Sequence, residues 1–96
     1  MKIVRFIGND ILIFEKSNRL NKKYKVIVNE TAPVHFGDTR YEHYKDKIGL
    51  FSYLDHLDNS RKMNYLKRSK KIKNKRGQLT HNIKYTPNWF AIKFLW

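Results

Sequence analysis

The sequence predicts an α+β fold: a small N-terminal antiparallel sheet of hairpins, then a basic helix, a basic loop and a short aromatic C-terminal helix. Three observations point to it. β-branched, partly alternating stretches fill the first 38 residues. Helix-capping signals appear only around Asp55, Asp58 and Thr86, and no acid follows Asp58.

Ile3–Ile7 and Asp10–Phe14 flank Gly8-Asn9, a pair suited to a tight turn with positive φ, and so read as a hairpin. Ser17-Asn18-Arg19-Leu20-Asn21 is rich in turn formers and reads as a loop. Tyr24–Val28 is the clearest strand, and Thr31-Ala32-Pro33 breaks it. Val34-His35-Phe36 follows as a short strand ended by Gly37-Asp38. Asp55 or Asp58 is expected to cap a helix running to about Lys71, with acids in its first turn and Lys67, Arg68, Lys70 and Lys71 in its last. Leu54, Leu57 and Tyr65 would share one face of it. Lys70–Asn82 is polar, contains Gly77 and lacks periodicity, as a basic loop does. Thr86-Pro87 looks like a cap with proline at the first helical position. The residues after it place Trp89, Ile92 and Trp96 on one helical face. Phe90, Ile92, Phe94 and Trp96 also alternate as a strand would, and the helix is the preferred reading.

Ninety-six residues, 41% of them hydrophobic, make a single domain with one modest core. It divides into a sheet (1–38), a connecting segment (39–58) and an acid-free basic part (59–96). A buried cleft for a small-molecule substrate would be hard to fit beside that core. There is no cysteine, which excludes disulfides, thiolate metal sites and thiol redox chemistry. The apolar runs near the N-terminus are split by Gly8-Asn9-Asp10, unlike a signal peptide, and no run approaches the ~18 residues that span a membrane. The expectation is a protein that is neither secreted nor membrane-bound.

The charge is the strongest signal. Residues 1–58 carry ten Lys/Arg against eight acids, whereas residues 59–96 carry eleven Lys/Arg and no acid, within a total of +13. Nine of those eleven are Arg61, Lys62, Lys67, Arg68, Lys70, Lys71, Lys73, Lys75 and Arg76. Like charges packed this closely repel one another, and a polyanion relieves the repulsion. On nucleic acid each neutralised phosphate also releases counterions. These nine are the candidate anion-binding residues. The plain alternative is a solvated basic face.

Other constellations carry less. His43, Asp46, Asp55, His56 and Asp58 form the one dense His/carboxylate cluster, which could hold a divalent metal for a nuclease. Its spacing matches no defined metal motif, and structural roles for the same residues compete, so no metal or cofactor is expected. His35 reads as a packed or hydrogen-bonded residue. No phosphate loop or nucleophile elbow is present, and no catalytic residue is assigned. Tyr41, Tyr44, Phe51 and Tyr53 interleave with Arg40, Lys45 and Lys47 and could stack bases, although most aromatics in so short a chain must build the core. Trp89, Phe90, Phe94 and Trp96 read as core or as a surface for docking a partner.

Several strings in order resemble a family of small basic proteins of unknown function encoded by giant DNA viruses and some tailed phages. They are Asn21–Ile27, Val34–Tyr41, Tyr44–Lys47, Leu54–Asp58 with Arg61-Lys62 and Tyr65, and the ending Trp89-Phe90 with Phe94-Leu95-Trp96. The resemblance implies a viral source and a small α+β fold, and it implies no enzymatic activity. Relatives commonly carry Arg-His where this chain has Arg68-Ser69, so a role for that histidine would be lost here. The combined expectation is a non-enzymatic protein of the virion, otherwise found inside the host cell. It would contact nucleic acid, DNA first, without sequence specificity. The alternative is a minor capsid protein bridging larger acidic virion subunits, and a metal-dependent nuclease is the remote one.

Overall fold

Four antiparallel strands in chain order open the computed structural model, which describes all residues from Met1 to Trp96. They are β1 (Ile3–Ile7), β2 (Asp10–Lys16), β3 (Lys22–Val28) and β4 (Val34–Asp38), followed by the helices α1 (Asn59–Ser69) and α2 (Pro87–Phe94). The fold is α+β, as the sequence predicts. Strands β2 and β3 run two residues further than expected, because Lys16 pairs with Tyr24 and Lys22 with Asp38. The break after β3 comes earlier than Thr31-Ala32-Pro33. Asn29 and Glu30 both take positive φ, and Thr31 N–H donates back to the Val28 carbonyl at 3.0 Å.

Alternation decides which face of the sheet is covered. Leu12 and Phe14 of β2, Tyr24 and Val26 of β3 and Phe36 of β4 are buried and face α2. Phe14 sits at the centre, edge-on to Tyr24, Phe36 and Phe90 at 6.2–6.5 Å between centroids and 4.8 Å from Phe94. Such edge-to-face pairs add about 1 kcal/mol each beyond their buried area. The opposite face leaves Val4, Phe6 and Ile11 exposed.

The choice of helix over strand for the C-terminal segment follows from its start. Thr86 Oγ1 accepts from the Trp89 amide at 3.1 Å, and Pro87 occupies a position where no donor is needed. Phe90 and Phe94, four residues apart, then bury one face against the sheet. The far end of α2 is closed by another part of the chain. Lys45 and Lys47 donate their backbone N–H groups to the Leu95 and Phe94 carbonyls at 3.0 and 2.9 Å. No helix is long and apolar enough to cross a membrane.

The 39–58 segment does more than connect. It supplies Ile48 and Phe51 to the core and carries the buried polar residues His43 and Asp46. Gly37 admits its neighbours by lacking a side chain. At φ +78, a Cβ there would lie 3.0 Å from both Leu95 Cδ1 and Lys23 Cβ, whereas Gly8 at φ +56 has nothing within 4 Å. Gly8→Ala should therefore cost about 1–2 kcal/mol for backbone strain alone. Gly37→Ala should cost at least about 2 kcal/mol, since overpacking is added to the strain. Urea denaturation of the two variants checks the order, and equal losses would show that the Leu95–Lys23 contact imposes nothing.

Candidate nucleic-acid interface

Asp58 starts α1 by accepting from the Ser60 and Arg61 amides at 2.9 and 3.1 Å. Asp55 is not the cap, and no acid stands in the first turn. Leu57 takes φ +56 and is exposed, and Leu54 lies in a short 3-10 turn (Ser52–Leu54), so neither shares a helical face with Tyr65. The helix stops at Ser69, with Lys67 and Arg68 against the negative end of its dipole.

The stretch expected as an unpatterned basic loop is a tied reverse turn. Lys73 and Leu79 pair across it, and Asn74 Oδ1 accepts from the Arg76 and Gln78 amides at 2.9 and 3.0 Å. Gly77 at φ +76 completes the reversal. At its base, the Asn88 amide of α2 donates to Ser69 O at 2.8 Å and to Thr80 Oγ1 at 2.9 Å. The turn thus holds Lys73, Lys75 and Arg76 out in solvent on a fixed support.

Of the nine candidate cations, two have partners. Arg61 donates to Glu42 at 2.9 Å, and the Lys62 ammonium lies 4.4 Å from the centre of the Tyr44 ring. Lys67, Arg68, Lys70, Lys71, Lys73, Lys75 and Arg76 are exposed and make no side-chain hydrogen bond or ion pair. The acids that could neutralise them are engaged elsewhere. Asp10 accepts from Tyr85 and Asn29, Glu15 pairs with Lys25, Asp38 with Arg40, and Glu42 with Arg61. Asp46 and Asp55 lie in the network described below, and Asp58 caps α1. Only Glu30 is free.

The His/carboxylate cluster of the sequence is divided between structural tasks. Lys23, 2% exposed, donates from Nζ to the Tyr41 carbonyl and to His43 Nδ1, each at 2.9 Å. His43 Nδ1 must therefore be an acceptor, so the ring is neutral and its Nε2–H donates to Asp55 Oδ1 at 2.6 Å. Burial holds the His43 pKa below its usual value, and the Lys23 charge lowers it further. Burial also pushes Lys23 down to about 8. Asp46 Oδ2 accepts from Tyr24 Oη at 2.5 Å and from the Phe51 amide at 2.8 Å. His56 Nδ1 accepts from the Asp58 amide at 2.9 Å, and its ring packs 5.2 Å from Trp96. No three His or acid side chains converge as metal ligands would. His35 is hydrogen-bonded to Ser17 Oγ at 2.6 Å.

The aromatic candidates separate by burial. Of the two readings, core or docking surface, Phe90 and Phe94 take the first: they are enclosed in the core, where they cover Phe14 and Phe36, and are not available to dock a partner. Trp89 and Trp96 are half-buried, Trp96 stacked on Tyr65 at 4.0 Å and 6°. Phe51 is buried and cannot stack a base, whereas Tyr41 and Tyr53 stand in solvent. Lys23 carries no signal in the sequence: a lysine beside an alternating strand looks solvated, and its burial depends on Tyr41 and His43, distant in the chain.

A family of unknown function, DUF5754, matches residues 12–69, from β2 to the last residue of α1. The chain belongs to this family. The matched range holds the whole Lys23–His43–Asp55 network and, among the candidate cations, Arg61, Lys62, Lys67 and Arg68. No curated protein and no solved structure matches the chain.

The network sets a pH dependence. His35, His43 and His56 all have lowered pKa values in the folded protein. The unfolded chain therefore takes up protons first as the pH falls through about 6.5, and stability drops below that point. Lys23 acts in the same sense at alkaline pH, adding stability as the pH rises from about 8. His43→Gln keeps an acceptor for Lys23 and a donor for Asp55 but cannot titrate. Urea denaturation at pH 7.5 and 5 should show a smaller acid loss in this variant. A wild type that gains stability at pH 5 would mean a charged His43.

Proposed function

We propose that the protein binds nucleic-acid phosphates without sequence specificity, through the outer side of α1 and the Lys70–Leu79 turn, and catalyses no reaction. The observation that carries this reading is the set of unpartnered cations from Lys67 to Arg76, beside acids that are nearly all engaged within the fold. Exposed, unpaired Lys and Arg retain their attraction for phosphate, and each contact made releases counterions. A tied turn also presents three of the cations without first having to be ordered, which reduces the entropy lost on binding. DNA is the first partner to try.

The resemblance to proteins of giant DNA viruses and tailed phages supports a viral setting, with the protein packed in the particle beside the genome. The competing reading is a bridge between acidic capsid subunits. It shares the basic face but also needs an aromatic docking surface, of which Phe90 and Phe94 are inside the core and only the half-buried Trp89 and Trp96 remain.

Titrating labelled duplex DNA at 50–200 mM salt tests the proposal. The affinity should fall steeply, with a slope of several units in log K against log salt. Changing Lys67, Arg68, Lys70 and Lys71 together to Glu should abolish binding, while circular dichroism remains that of the folded protein because all four side chains are exposed. Unchanged affinity in that variant removes the reading.

A further inference from the structure

A cleft of about 620 Å³ opens between α1, the α2 end of the chain and the β3–β4 end of the sheet. Its volume lies within the range of small-ligand pockets, roughly 300–1,000 Å³. Only one stripe of α1 reaches it, with Arg61, Asn64, Tyr65 and Arg68 at helical spacing, while Lys67, Lys70 and Lys71 do not line it. The molecule thus has two basic surfaces that share one helix. One is the convex outer face, and the other is a concavity that a duplex is too wide to enter.

Three features of the cleft suit a nucleotide. First, it keeps free cations: Lys22 and Arg68 make no side-chain hydrogen bond or ion pair, whereas its acids Asp38 and Glu42 are held by Arg40 at 2.8 Å and Arg61 at 2.9 Å. Second, Tyr41 stands at the cleft with 65% of its surface exposed, and the Arg40 guanidinium lies 5.8 Å from its ring centre. A large ring left in solvent beside a cation is the platform on which single-stranded bases stack. Third, the Asn64 amide has no partner and offers both a donor and acceptors to a base edge.

We propose that this cleft seats one nucleotide of a single strand, with its phosphate held by Lys22 and Arg68 and its base stacked on Tyr41. The proposal rests on the nucleic-acid reading above and refines it: the outer face holds backbone phosphates of any strand, and the cleft adds a preference for unpaired bases. Neither Lys22 nor Tyr41 contributes its side chain to the fold. The Tyr41 group that Lys23 needs is the backbone carbonyl.

Fluorescence anisotropy with labelled oligo-dT and with a duplex of equal length, at one salt concentration, tests this. Tyr41→Ala should weaken oligo-dT binding by about ten-fold, the stacking contribution of one base, and leave the duplex affinity unchanged. Lys22→Ala should weaken oligo-dT more than duplex. Lys67→Ala with Lys71→Ala should lower both affinities by similar factors. Equal effects of Tyr41→Ala on the two ligands, or none on oligo-dT, overturn the cleft while the general reading survives. Failure of the wild type to bind either ligand removes both.

Discussion

A carboxylate taken out of water must collect enough donors to offset its lost hydration, and Asp46 collects four. Tyr24 Oη and the amides of Ile48, Gly49 and Phe51 all point at its two oxygens. The loop is thereby wrapped around one side chain, and that wrapping drives Ile48 and Phe51 into the core. The Tyr24 hydroxyl in turn accepts from the Leu50 amide at 2.9 Å, so strand and loop hold each other. Next to it the Lys23–His43–Asp55 chain fastens the loop a second time. The backbone then runs from Asp55 to the Asp58 cap with little freedom, and α1 is positioned as a consequence.

The same constraint shapes the electrostatics. A chain with eight acids among twenty-one Lys/Arg can neutralise few of its cations, and this one uses its acids to build. Buried or capping carboxylates are held by backbone donors, and the paired ones match cations in the first half of the chain or Arg61. The densest run of unpartnered positive charge is left from Lys67 to Arg76, at the end of α1 and on the turn after it. Self-repulsion there lowers stability, which an anionic partner restores by binding. Fold and proposed binding therefore share one cause: where the acids went.

The elements that were legible in the sequence rest on local chemistry. Gly8-Asn9 fixes a turn, Thr86-Pro87 starts a helix, and Asp58 caps another, each through neighbours in the chain. The charge segregation was equally plain, because it needs only counting. What stayed hidden depends on contacts distant in sequence. Residues 39–58 show no periodicity, since their order comes from Asp46 and His43 reaching back to Tyr24 and Lys23. Phe90 and Phe94 could be read as core or as a docking surface, and it is their contact with Phe14, distant in the chain, that makes them core. The Asn74–Gly77 turn has a local signature, an Asn side chain accepting from amides two and four residues on and a glycine at positive φ, but its place against Ser69 and Thr80 depends on Asn88 of α2.

Lysine acetylation with and without bound DNA, read residue by residue by mass spectrometry, tests the central claim most directly. The account predicts strong protection of Lys67, Lys70, Lys71, Lys73 and Lys75, with Lys2, exposed just before β1, and Lys16, exposed at the end of β2, modified as fast as in the free protein. Even protection of every exposed lysine, or protection confined to residues before Asp58, would contradict it.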